Sequence, residues 1–134
     1  MNDLMYQIQE ISVPQFSFAL NPDGKDAPEP NLQIGGAIEA KGEEFTVLIH
    51  VSSVRDPKSK YFLDAVAVGV LNIKNYVDDE SQRKILKRIG FGTVFPYLRS
   101  SIASATSALV SFRLNLGIID IDSVFEKTDV KISD

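Results

Sequence analysis

Residues 90–125 read GFGTVFPYLRSSIASATSALVSFRLNLGIIDIDSVF, and within them Phe95, Leu98, Ile102, Ala105, Leu109 and Phe112 recur at steps of three and four. That spacing places the six on one stripe of a helix. Pro96 suits its first turn, where a missing N–H and a fixed φ cost little. The opposite side carries Ser100, Ser101, Ala103, Ser104, Thr106, Ser107 and Ala108, all small and uncharged, so another helix or a sheet can approach it closely. An apolar stripe backed by an uncharged one fits burial on two sides better than a solvated surface helix. Two arrangements meet that need: an interior helix of a monomer, or a helix shared with another copy of the chain.

Upstream the period changes to two. Tyr6 and Ile8 share one face and Ile11 and Val13 the other, so the apolar face switches near Glu10; Phe16, Phe18 and Leu20 resume the alternation beyond Pro14. One long strand with a bulge or edge bend accounts for this. Residues 21–31 (NPDGKDAPEPN) read as an exposed loop. Leu32, Ile34, Gly36, Ile38 and Ala40 alternate again, and Gly35-Gly36 marks a bulge or a close backbone approach. After a turn at 41–43, Phe45, Val47, Ile49 and Val51 face one way, and a second turn at 55–60 leads into residues 61–76. There Leu63, Ala65, Ala67, Gly69, Leu71 and Ile73 lie opposite Phe62, Val66, Val68 and Val70. A strand apolar on both faces needs cover on both.

Asp78, Asp79 and Glu80 precede Lys84, Lys87 and Arg88 in the charge order that a helix dipole favours, and Gly90 is expected to stop that short helix. Residues 114–121 form a short apolar stretch, 122–128 a last helical turn or two anchored by Val124 and Phe125, and 130–134 a frayed end. The prediction is one α+β domain over residues 1–134, with a four-stranded antiparallel sheet, a long C-terminal helix and short flanking helices.

A chain of 134 residues, 44% hydrophobic and 24% charged, is long enough for a real core and is globular rather than disordered. Its net charge of -4 and lack of a basic run give no electrostatic footprint for nucleic acid. Without cysteine there is no disulfide and no thiolate chemistry, and His50, the one histidine, cannot build a histidine-based metal site. Gly90-Phe91-Gly92 lacks the third glycine or lysine of a phosphate loop. The helix serines have no histidine near them in sequence, and Asp120 and Asp122 read as caps for the last turn rather than metal ligands. The chain is therefore not expected to be an enzyme or to need a cofactor or metal. MNDLMYQIQEIS has no basic region followed by an apolar core, and no stretch approaches the ~20 apolar residues of a membrane span. A soluble, cytoplasmic protein is expected, with no membrane insertion. Its apolar surplus points to self-assembly or to the capture of apolar partners.

Phe95-Pro96-Tyr97-Leu98-Arg99, followed by Leu114-Asn115-Leu116 and the acidic and apolar pattern at 122–125, resembles the C-terminal half of the SecB family of protein-export chaperones. Residues 6–18 (YQIQEISVPQFSF) are similar to that family's first strand, and those around 66–71 to its last. The resemblance implies a four-stranded antiparallel sheet with a long helix, and dimers joined through sheet and helix into a homotetramer, a dimer of dimers. It also implies an ATP-independent holdase of the bacterial cytoplasm, without cofactor, that binds unfolded preproteins and passes them to the motor SecA. On that reading Phe16, Phe18, Leu20, Leu32, Ile34, Leu116, Ile118, Ile119 and Phe125 line the peptide-binding groove, although each position also fits a core or subunit interface. The stripe Leu98, Ile102, Ala105 and Leu109 buries against the sheet, while Ser104, Ser107 and Ala108 approach a neighbouring subunit.

In the family, acidic residues on the outer face of the sheet dock SecA. The matching positions here are Gln15, Ala19 and Ala65, none acidic, and Asp64 is expected on the opposite face, one residue away. Residues 108–113 (ALVSFR) lack the glycine and proline the family often has there, so the long helix is expected to run further. Two alternatives stand beside the general holdase: a SecB-like chaperone dedicated to one partner, such as an antitoxin, and a non-catalytic oligomeric adaptor.

Overall fold

The computed structural model describes residues 5–23, 26–53, 56–110, 116 and 119–133, apart from the side chains of 108–110. Among these residues the elements run β1 (Met5–Leu20), β2 (Leu32–Lys41), β3 (Glu44–Ser53), β4 (Tyr61–Lys74), α1 (Glu80–Val110), α2 (Ile121–Phe125) and β5 (Val130–Ser133). They build one sheet in the order β1-β4-β3-β2-β5, with α1 and α2 on one face.

The first four strands pair antiparallel, as their short turns require. The end expected to fray is instead a fifth strand, which makes the sheet mixed. Residues 130–133 pair parallel to β2, Val130 opposite Ile38 and Ser133 opposite Lys41, and Val130 packs half-buried on the core. An open edge of β2 and the alternation Val130-Lys131-Ile132-Ser133 are what draw the segment in.

β1 is interrupted where its alternation breaks, between Ile8 and Glu10 and again between Ser12 and Gln15. Each bulge adds one residue, and one extra residue reverses the facing of everything after it. The apolar face therefore does not switch. Ile8 lies opposite Leu71, Ile11 opposite Gly69 and Phe16 opposite Ala65, all on the side of the sheet that α1 covers.

α1 is continuous over 31 residues, so Gly90 does not stop a first helix and Pro96 does not begin a second. Gly90 is buried because the helix lies close to the sheet there: a Cβ on it would fall 2.9 Å from Val47 Cγ2. Pro96 is exposed, as is Gly92 one turn earlier, so the carbonyl that the proline leaves without a donor faces water. The helix begins at an Asp79 cap whose Oδ1 accepts from the Gln82 amide at 2.8 Å, while Gln82 Oε1 accepts from the Val77 amide at 2.6 Å. Its sheet-facing stripe, Leu86, Phe91, Val94, Leu98, Ile102 and Thr106, is sealed. Leu98 and Ile102 bury as predicted, Ala105 only partly, and the Leu109 side chain lies outside the described residues. Thr106 is kept from being an unpaired polar group by donating its hydroxyl to Ile102 O at 2.8 Å.

Two strand glycines set how closely the helix settles. A Cβ at Gly69 in β4 would sit 2.5 Å from Val94 Cγ2, and one at Gly36 in β2 would sit 2.7 Å from Phe91 Cε1 and 2.8 Å from Phe125 Cε1. The close approach expected at Gly36 is thus present, without a bulge, since β2 and β3 stay in register along their whole length.

Candidate functional site

At the end of the sheet where β1 finishes and β2 begins, two cross-sheet rows carry apolar side chains on the helix side. In one, Phe16 pairs with Ala65, Ala65 with Val51 and Val51 with Ile34. In the next, Phe18 pairs with Leu63 and Leu32 with Ser53. Ser53 and Leu63 are tied together, the Leu63 amide donating to Ser53 Oγ at 2.8 Å and the hydroxyl to Leu63 O at 3.2 Å. Strands spaced ~4.8 Å apart put the β1 and β2 side chains of one row ~14 Å from each other. Ala65, Val51 and Leu63 between them are sealed, whereas Phe16, Phe18, Leu32 and Ile34 are half-buried and Leu20 is 37% exposed. The result is an apolar shelf.

The shelf is bounded by the loop that crosses from β1 to β2. Asn21 fastens its start, its amide N donating to Lys60 O at 2.9 Å and its Nδ2 to Pro57 O and Ser59 O at 3.0 Å. The Lys60 amide in turn donates to Pro28 O at 2.9 Å. Tyr61, which sequence reasoning did not single out, lies opposite Leu20 and holds its ring 5.7 Å from that of Phe18. Burial, and secondarily the charge of Glu29, push its phenol up, so it stays uncharged. Its parity with Leu63 was the available signal.

On the β2 side the expected lining divides. Phe125 stacks on Phe91 at 3.9 Å and 12° over Gly36, only 1% exposed, so it is core in this structure. Leu116 is also buried, Ile119 is half-buried against the core, and Ile118 lies outside the described residues. Asp120 caps α2, its Oδ1 accepting from the Asp122 amide at 3.1 Å and its Oδ2 from Ser123 Oγ at 2.9 Å. Val124, paired with Phe125 as an expected anchor, is instead exposed.

Asp122 takes a two-pronged bond from Arg88, Nη2 to Oδ2 at 2.7 Å and Nε to Oδ1 at 2.9 Å, which pins α2 to α1. The Arg88 hydrogen bonds, and less so its charge, hold the Asp122 carboxyl below its ordinary value of 3.8. A lowered carboxyl contributes above the ordinary value and stops contributing as pH falls through its folded value. Acidification should therefore loosen α2 while the sheet holds. The Val124 amide, bonded to Asp120 O at 3.0 Å, should lose hydrogen-exchange protection after correction for intrinsic rates. Equal protection at pH 6 and pH 2.5, values spanning the carboxylate range, would contradict this.

The other face of the sheet is covered by no described element. Its centre is Leu48, Val66, Val68 and Val70, with Glu10 opposite Val70 and Glu39 opposite Thr46. Gln15 and Ala19 lie on this face as expected, but Ala65 does not; its place beside them is taken by Asp64, which lies opposite Ser17 and Ser52. The register of β1 on β4, Gln15 with Val66, Ser17 with Asp64 and Ala19 with Phe62, puts the even-numbered residues of this part of β4 on the outer face, so Asp64 and not Ala65 lies there. Asp64 Oδ1 is held 2.6 Å from His50 Nε2. On α1, Ser104 and Ser107 are exposed, and the Ala108 side chain lies outside the described residues. Among the described residues no three His, Cys, Asp or Glu side chains converge, and no helix is long and apolar enough to cross a membrane.

The described residues thus form a sheet backed on one face by a single long helix, with a half-open apolar shelf at one end of that face. The family model for the preprotein translocase subunit SecB matches residues 4–131, and the chain belongs to the SecB family. Among solved structures it is similar to the Mycobacterium tuberculosis SecB-like chaperone Rv1957, determined in complex with a ChAD peptide from the Rv1956 HigA1 antitoxin. The TM-score is 0.65 at 18% identity, covering 86% of this chain and 88% of that one. It is also similar to a Streptococcus agalactiae protein of unknown function, with a TM-score of 0.58 at 11% identity over 87% of this chain and 100% of that one. No curated protein matched the chain.

Proposed function

We propose that this chain is an ATP-independent holdase that keeps unfolded polypeptides soluble in the cytoplasm, working as a homotetramer built as a dimer of dimers. The observation that carries the reading is the shelf. Phe16 and Phe18 from one flank of the sheet share rows with Ile34 and Leu32 from the other, Leu20 lies one row further, and all five side chains are apolar and remain partly open. Such a surface suits weak contacts repeated along a client, which give retention without sequence selection. On this reading half-buried Ile119 extends it, with Leu116 and Phe125 as the packed wall behind. Family membership supports the reading.

Delivery to SecA would call for an acidic patch on the other face of the sheet. Glu10, Glu39 and Asp64 stand apart around a valine centre, and Asp64 is engaged by His50. That valine centre, together with the antitoxin peptide bound by the similar Rv1957, favours a chaperone dedicated to one partner as the second reading. Suppression of aggregation of a chemically denatured client, without ATP and at rising ratios, tests the first. A tetramer that suppresses supports the general holdase; a tetramer that suppresses nothing contradicts it and leaves the dedicated partner or the adaptor.

On this reading a neighbouring subunit packs against the face of α1 that carries Ser104 and Ser107, both exposed. Ser104→Arg should break the tetramer into smaller species, because a long charged side chain cannot be buried unpaired between close helices. An unchanged mass by light scattering would refute that placement.

A further inference from the structure

The face of the sheet turned away from α1 is symmetric about one row. That row runs Ser12, Val68, Leu48 and Ala37 across β1, β4, β3 and β2, and on each strand its residue is the middle one of those that point to this face. Val70 lies in the next row on one side and Val66 in the next row on the other. Neither the central row nor that of Gln15, Val66, His50 and Gly35 holds a lysine, an arginine or a carboxylate. Leu48, Val66, Val68 and Val70 are half-buried, while Gly35 and Ala37 beside them are exposed and too small to interrupt a flat surface. We infer that a second copy of this chain covers the face, the two sheets stacking about a twofold axis that lies along the central row. The inference goes beyond the polypeptide-binding role and does not depend on it, because the shelf opens on the other side of the sheet.

Rotation about that row makes the face its own complement. Each residue meets the one an equal number of rows away on the same strand of the second copy. Val68 and Leu48 meet themselves and Val70 meets Val66, so one valine centre closes on the other. The charged groups fall clear of one another. Glu10 meets Gln15, Glu39 meets Gly35 and Lys41 meets Gln33, while Asp64, already held by His50, meets Asn72. No two like charges are opposed. Stacked sheets lie ~10 Å apart with their strands crossing at about 30°, which keeps the central rows in contact and lets the charged corners diverge into water. With strands ~4.8 Å and rows ~6.8 Å apart, the face measures roughly 800 Å², the area per partner of a standard specific interface. A strongly charged partner would find no opposing cluster here, since Glu10, Glu39 and Asp64 stand apart.

The chain has no cysteine, so single cysteines placed in the full chain report the geometry. A bis-maleimide spanning about 10 Å, the spacing of stacked sheets, should link Ala37→Cys to itself, because Ala37 lies on the axis. It should not link Gln33→Cys to itself, since that position is two rows from the axis on the same strand and ~30 Å from its copy. Val68→Lys opposes two ammonium groups on the axis and should lower the mass read by light scattering at high concentration at least twofold. Ala37→Lys, at an exposed position of the same row, should do the same without disturbing the centre of β4. Linking at Gln33 as readily as at Ala37 would mean that copies associate without this register and would overturn the stack. No linking at either position would overturn it too, as would a mass that both lysine variants leave as it was.

Discussion

Phe91→Ala is expected to lower stability by roughly 3–5 kcal/mol, the range for removing a sealed aromatic ring from a close-packed core. Phe91 is fully buried, its ring stacks on Phe125 at 3.9 Å, and both rings rest on Gly36, which has no side chain to collapse into the space left behind. Three elements meet at that point, α1, α2 and β2, so the cavity would loosen the seat of α2 as well as the helix–sheet contact. Chemical denaturation at a fixed protomer concentration checks it, so that any self-association contributes equally to both proteins. A loss below ~1 kcal/mol would mean that the three elements close over the cavity, and that this contact does not organise them.

The second large effect is on binding. Leu20→Glu combined with Leu32→Glu should reduce affinity for a denatured client at least roughly tenfold, since it puts a charge at each flank of the shelf where an apolar segment has to lie. Leu20 is 37% exposed and Leu32 half-buried, so the new carboxylates reach water in the free protein, and the unfolding midpoint should correspond to a loss of about 1 kcal/mol or less. Affinity equal to that of the unchanged protein would remove the shelf from the binding surface.

The order of the elements was legible because each strand's apolar residues alternate and each turn carries its own chemistry. Leu98 and Ile102 announced their burial by helical spacing. Two of the misreadings share a cause: a punctuating residue can be overruled by what lies across from it. Gly90 looks like a stop, yet it is buried where α1 lies close against Val47; Pro96 looks like a start, yet the carbonyl it orphans faces water. The bulges in β1 were visible as breaks in period, but their consequence, that Tyr6, Ile8, Ile11 and Phe16 share one face, depends on pairing with β4. That pairing also brings Asp64, not Ala65, beside Gln15 and Ala19. β5 was missed because four residues are too few for periodicity to distinguish from a loose end. The shelf was legible only residue by residue: Phe16 and Phe18 are far in sequence from Leu32 and Ile34, and only the β1-β4-β3-β2 order puts them on common rows.

The most direct test of the central claim is photocrosslinking from the protein to a denatured client. p-Benzoylphenylalanine is placed singly at Leu20 and Leu32 on the shelf, and at Thr46 on the opposite face of the sheet. The account predicts client adducts from Leu20 and Leu32 and little or none from Thr46. Adducts from Thr46 alone, or from none of the three while the client is demonstrably retained, would contradict it and move the client off the shelf.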